Sequence, residues 1–185
     1  MCLAVRENQL VNRVKALFFD FDGTLLDGSG HREAIRATCR EIASAHFVRH
    51  LRGSLRLYPE VLALLPSLRR RYRLALITNG ASDTQRGSLR MLGIEQAFDA
   101  VAISGEVGVA KPDPAIFQVA LRGLGFGPEQ AWHIGDDALT DIAGAHAAGL
   151  TAVWLNRSES LWIHGEPGPH YEVSSLSELP KLLPV

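Results

Sequence analysis

Five short apolar runs recur along the chain, and each stops at a polar or glycine-containing loop: VKALFFD (14–20), YRLALITNG (72–80), FDAVAISGE (98–106), AWHIGDD (131–137) and LTAVWLN (150–156). They are apolar on both faces rather than at every second residue. A strand reads this way when it is covered from above and below, as happens where helices cross over between parallel strands. Helical patterns fill the intervals, at roughly 59–71, 83–92, 114–124 and 139–148. The alternation predicts an α/β fold, a mostly parallel sheet flanked by helices.

Local signals agree with these elements. Asp113-Pro114 sets a capping carboxylate before a proline at a first helical position, and Ser82-Asp83 precedes another helix. Gly93 and Gly149 stand where glycines end helices. One segment breaks the alternation. Residues 28–57 read as a helix at 31–45 and a shorter one at 47–57, placed between the first strand and an ordinary helix-to-strand unit. The expectation is a core formed by 1–27 and 58–185, with 28–57 inserted as a small helical cap.

The 185 residues, 46% of them hydrophobic, suit one globular domain with a small annex. A chain of this size buries about 70% of its unfolded surface. With 19 basic and 20 acidic side chains the net charge is −1, which gives no bias towards nucleic acid or membrane. The basic run at Arg69, Arg70 and Arg71 reads as a solvated helix end, where cations favour the dipole. Cys2 and Cys39 make no disulfide framework. The opening MCLAVRENQL is interrupted by charge too early for a signal peptide, and no apolar run reaches the ~18 residues of a membrane span. The expected location is cytoplasmic.

In parallel sheets of this kind ligands bind beyond the carboxyl ends of the strands. The polar clusters DFDGT, TNG and GDD all fall there. Asp20 and Asp22 would repel in a shared cleft unless a cation or a shared proton intervenes. Asp136 ends another run, with Asp137 beside it and Asp141 at the opening of the next helix. Several carboxylates without a Cys or His cluster point to Mg²⁺ rather than zinc. His46 and His50 are four apart but have no third ligand nearby, and read as exposed cap residues. Thr78, Asn79 and Gly80 present a hydroxyl, an amide and backbone N–H groups suited to an oxyanion, although Thr-Asn-Gly is also a common turn. Lys111 either neutralises phosphate or is solvated, and Asp137 is either a ligand or a cap. His133 reads as a core residue, Trp154 as strand packing, and Trp162, beside a loop, as a candidate for a substrate mouth or a dimer face.

With these residues in order, the sequence resembles a haloacid-dehalogenase-superfamily hydrolase. The carrying motifs are Asp20-Phe-Asp22-Gly23-Thr24, Thr78-Asn79-Gly80, Lys111-Pro112, and Gly135-Asp136-Asp137 with Asp141. Their details are most similar to the subgroup of pyrimidine 5′-nucleotidases and N-acylneuraminate-9-phosphate phosphatases. The resemblance implies a Rossmann-like core and a phosphatase that hydrolyses a small phosphomonoester, a nucleotide or sugar phosphate, through an aspartyl-phosphate. It implies Asp20 as nucleophile and Asp22 as general acid and base, with Lys111 and the donors of Thr78, Asn79 and Gly80 holding the phosphoryl group. It implies Mg²⁺ held by Asp20, Asp136, Asp141 and the backbone carbonyl of Asp22. An acid at Asp22 favours phosphate over halide chemistry, since a halide leaves without a proton.

The inserted segment is shorter than the cap such relatives carry, as though its middle were missing. A reduced cap should loosen selectivity. The alternatives to a phosphatase are a phosphomutase, against which the short cap argues because a mutase must exclude water, and a weakly active or inactive phosphate-binding protein. The expected assembly is a monomer or homodimer without nucleic-acid or membrane partners.

Overall fold

The computed structural model describes residues 14–27, 55–163, 165 and 167–184. The two helices expected at 31–45 and 47–57, with His46 and His50, lie outside these residues apart from 55–57, which are not helical: Leu57 forms an antiparallel bridge with Leu26.

Six strands form one parallel sheet: β1 (Ala16–Phe19), β2 (Arg73–Thr78), β3 (Ala100–Ile103), β4 (Ala131–Gly135), β5 (Thr151–Leu155) and β6 (Tyr171–Val173), in the order β3-β2-β1-β4-β5-β6. Among the described residues the helices are α1 (Val61–Arg69), α2 (Ser82–Met91), α3 (Ser104–Val107), α4 (Pro114–Leu124), α5 (Ala143–Ala147) and α6 (Leu179–Leu182). Among the described residues, no helix is long and apolar enough to cross a membrane.

The continuous apolar character of β1 follows from its position between two layers. Leu17 and Phe19 join the cluster formed with α1 and α6, while Ala16 and Phe18 join the cluster formed with α4 and α5. Both phenylalanines are fully buried, each stabilising the fold by about 1.5–3 kcal/mol relative to exposure. Helix α1 presents Val61, Leu64, Leu65 and Leu68 inward, at the i, i+3, i+4, i+7 spacing of one helical face. Helix α4 begins and ends where the sequence predicts. Asp113 accepts a hydrogen bond from the Ala115 N–H at 2.8 Å, and Gly125 follows the last turn.

Two helix starts differ from expectation. Ser82 does not cap α2; Ala81 occupies that position, and the Ser82 hydroxyl instead donates to Glu106 at 2.6 Å. The helix expected at 139–148 opens as a π-helical turn, Ala138–Ile142, before α5. Asp137 caps that turn by accepting from the N–H groups of Leu139 (2.9 Å) and Thr140 (2.7 Å). The wider turn lets the chain enter the helix while Asp141 is directed inward.

β1 and β4 are neighbours, with Phe19 opposite Ile134. From β1 the order runs outward to β2 and β3, and from β4 outward to β5 and β6. Their shared carboxyl end is therefore the switch point where such a sheet opens a crevice.

Candidate active site

Asp20 follows β1 directly and Asp136 follows β4, so the pairing of those strands brings together residues far apart in sequence. Asp20, Asp136 and Asp141 each offer a carboxylate oxygen within 4.8 Å of the others. They line a cavity of about 210 Å³ to which Asp22, Thr78 and Lys111 also contribute. Asp22 stands on the same cavity but outside that carboxylate cluster, and its carboxylate accepts from the Gln85 amide at 3.0 Å.

Lys111 is not solvated. It is 5% exposed, and its ammonium donates to Asp20 and, at 2.6 Å, to Asp141. Burial alone would disfavour its charge, but the two carboxylates outweigh that and raise its pKa. Asp141 is fully buried. Burial pushes its carboxyl up, while Lys111 and His133 bring it down to about 2, so it is ionised. Asp20, 5% exposed, is the strained member. Burial is the main cause that raises its pKa well above the carboxylate range; the charges of Asp141 and Asp136 add to it and Lys111 opposes it. Partial burial and then the charge of Asp141 lift Asp136 to about 6.

Two carboxylates thus share one ammonium, and the Asp136 carboxylate stands beside them. The surplus negative charge, presented by hard oxygen donors at one point, fits a divalent cation such as Mg²⁺. Gly23 lies against this cluster with φ +83°, and a Cβ there would fall onto the Asp136 carboxylate. Thr24 donates its hydroxyl to Asp136 at 3.2 Å, and the Trp154 indole N–H donates to the Asp136 carbonyl at 3.0 Å. Trp154, read as strand packing, therefore also fixes the loop after β4. Trp162 stacks edge-on against Trp154, with ring centroids 5.1 Å apart.

The TNG loop divides its donors. Thr78 is buried on the cavity wall. The Asn79 carboxamide clasps the Lys111 backbone, donating to its carbonyl at 3.0 Å and accepting from its N–H at 2.8 Å. The Gly80 N–H donates to the Ser104 hydroxyl at 2.8 Å. Asn79 thereby fixes the loop that aims Lys111, and Asp137 has its cap role.

His133 is fully buried, with Nε2 3.0 Å from Asp141. Burial lowers its pKa although Asp141 works in the opposite sense. A neutral ring donating through Nε2 leaves Nδ1 facing the apolar interior, where that atom has no partner among the described residues. The sequence reading missed two residues here: His133 as a support for Asp141, and Gln85 altogether. The available signal for Gln85 was a polar residue on the inward face of α2, beside Ser88 and Leu89.

A larger cavity, about 420 Å³, is lined by Lys15, the arginine run, Arg73 and Asp99. Three of its arginines have partners in the fold: Arg69 and Arg73 clamp Asp99, and Arg71 donates to the Pro184 carbonyl at 2.6 Å.

Residues 40–149 match the haloacid dehalogenase-like hydrolase family. The chain is 47% identical over 119 residues to a phosphoserine phosphatase of Thermus thermophilus, covering 64% of this chain and 47% of that protein. It is 42% identical over 125 residues to the N-acylneuraminate-9-phosphatase of Homo sapiens, covering 67% and 50%. The chain spans about half the length of these curated relatives. The crystal structure of a HAD phosphatase from Thermococcus onnurineus superposes with a TM-score of 0.78 at 25% identity, covering 91% of this chain and 97% of that one. The motifs, the sheet order and these likenesses agree: the chain belongs to the haloacid dehalogenase-like hydrolase family.

Proposed function

We propose that this chain is a Mg²⁺-dependent phosphomonoesterase that acts on a small phosphorylated metabolite, a nucleotide or sugar phosphate, through an aspartyl-phosphate on Asp20. The observation that carries the reading is the convergence of Asp20, Asp136 and Asp141, the first and last of them on Lys111, with Asp22 on the same cavity. The relatives named as phosphatases support it.

In the first step a carboxylate oxygen of Asp20 attacks phosphorus. The P–O bond to the substrate alcohol breaks, and Asp22 delivers a proton to the departing oxygen. In the second step Asp22, now ionised, takes a proton from water, whose oxygen attacks the phosphoryl group and returns Asp20 to a free carboxylate. Lys111 and Thr78 hold the phosphoryl oxygens, where charge accumulates. Asp20, Asp136, Asp141 and the Asp22 carbonyl would hold Mg²⁺, which when bound neutralises surplus carboxylate and phosphoryl charge.

Residues 28–57 form the short cap in this reading. Supporting it, the Asp27 N–H donates to the Arg56 carbonyl at 2.8 Å, so the segment departs and returns at one point beside the DFDGT loop. A cap this short selects weakly among phosphomonoesters. The functional unit is a monomer or homodimer.

Release of inorganic phosphate from a panel of nucleotides, sugar phosphates and 4-nitrophenyl phosphate, with Mg²⁺ and with chelator, tests the proposal. Asp20→Asn is expected to remove turnover by at least about 10³-fold while leaving the circular dichroism spectrum unchanged. Retained turnover in that variant refutes the nucleophile.

A further inference from the structure

We propose that Gln85 is a positioning residue that holds Asp22 in place for proton transfer. The inference rests on the reading of Asp22 as general acid and base, and it adds a residue outside the four motifs. Gln85 lies in the first half of α2 and turns inward, 7% exposed. Its amide nitrogen donates to the Asp22 carboxylate at 3.0 Å and to the Asn79 carbonyl at 3.1 Å. Both partners are acceptors, so chemistry fixes the orientation of the carboxamide: the opposite flip would aim an oxygen at two oxygens.

The two amide hydrogens therefore span two catalytic loops. One reaches the loop after β1 that carries Asp22; the other reaches the loop after β2, whose Asn79 clasps the backbone of Lys111. Gln85 does not line the cavity and so acts through Asp22 rather than on substrate. The space it fills is reserved by Gly80, the last residue of the TNG motif. With φ +150°, Gly80 has a conformation that side-chain-bearing residues rarely adopt, and a Cβ there would stand 2.7 Å from the Gln85 amide nitrogen. Since the Gly80 N–H is engaged by Ser104, the geometry gives this glycine the task of admitting Gln85.

A buried amide that immobilises a carboxylate restricts the directions from which that carboxylate can pass a proton. The consequence depends on the leaving group. An alkoxide needs a proton as it departs, whereas 4-nitrophenolate leaves largely without one. Loss of the brace should therefore penalise alkyl phosphates selectively in kcat/KM, which reports the phosphoryl-transfer step. A purely structural loss would lower both substrates alike.

The test compares kcat/KM for glycerol 2-phosphate and 4-nitrophenyl phosphate in wild type, Gln85→Met, Gln85→Glu and Asp22→Asn. Gln85→Met removes the donor, and Gln85→Glu keeps the shape but sets an acceptor against two acceptors. The expected result is a loss on the order of 10²-fold for the alkyl ester and less than about threefold for the aryl ester, in the same direction as Asp22→Asn. If Asp22→Asn discriminates between leaving groups but neither Gln85 variant does, the brace is wrong and the acid–base reading stands. If Asp22→Asn itself does not discriminate, the acid–base reading fails and takes this inference with it. Equal losses on both esters, or failure of both Gln85 variants to fold, make Gln85 a residue of the fold and overturn the proposal.

Discussion

At the scale of single residues, Lys111 shows how a side chain's role turns on what surrounds it. Its sequence context left solvation and neutralisation of phosphate open; the structure buries it against Asp20 and Asp141, so it is not solvated. Removing one partner of a buried, hydrogen-bonded ion pair costs more than the pair contributed, because the other charge is stranded. Lys111→Met is therefore expected to destabilise the metal-free protein by about 3 kcal/mol. The measurement is the urea unfolding midpoint in the presence of chelator; an unchanged midpoint would mean that Asp20 and Asp141 are satisfied without the lysine. The pair of aspartates in DFDGT was legible because two carboxylates one residue apart need a reason. Gln85 was not, because its significance depends on contacts 63 and six residues away.

At the scale of elements, burial overrides propensity in α1. Pro66 lies inside this helix, exposed, while Val61, Leu64, Leu65 and Leu68 tie the opposite face to the core. A proline there lacks a donor and crowds the preceding turn. Pro66→Ala should raise stability by about 1–3 kcal/mol, read as a higher thermal midpoint.

The β5–β6 edge carries a pH dependence. His170 pairs with Ala152 twice: its backbone N–H donates to the Ala152 carbonyl at 2.9 Å, and its ring Nδ1 accepts from the Ala152 N–H at 3.0 Å. The His146 ring stacks on it, centroids 4.6 Å apart. Partial burial, and then His146, lower the pKa of His170. Above a pH of about 6.5 the ring is neutral both folded and unfolded, so it contributes no slope. As pH falls below that value the unfolded chain takes up the proton first, and stability declines. His170→Asn, which keeps an acceptor but does not titrate, should flatten this decline in urea midpoints taken between pH 7.5 and 5. A wild-type decline matched by the variant would assign it to other groups.

For the whole molecule, the carboxylate cluster is assembled by strands that meet only in the folded sheet, so a cation held there binds the native state alone. Mass action then gives about 2.7 kcal/mol when Mg²⁺ is at a hundred times its Kd. For a chain of this size that is a rise of roughly 5–10 °C in the thermal midpoint over the chelated protein. Asp136→Asn should remove most of the rise; a shift that survives it places the cation elsewhere.

The sequence by itself determined the class of the fold and the crowding of carboxylates at its strand ends. Short runs apolar on both faces that alternate with helical patterns fit a covered parallel sheet, and crowded carboxylates call for a counter-charge whatever lies around them. The order of the sheet is a different matter, since it depends on which strand β4 pairs with, and no local pattern encodes that. Only the tertiary structure placed Asp136 beside Asp20 by setting β4 against β1, turned Lys111 inward, and opened α5 with the turn that presents Asp141. The same long-range geometry set Gln85 behind Asp22. These are relations between distant residues, fixed by packing free energy summed over the whole core, and they exist only once the chain has closed upon itself.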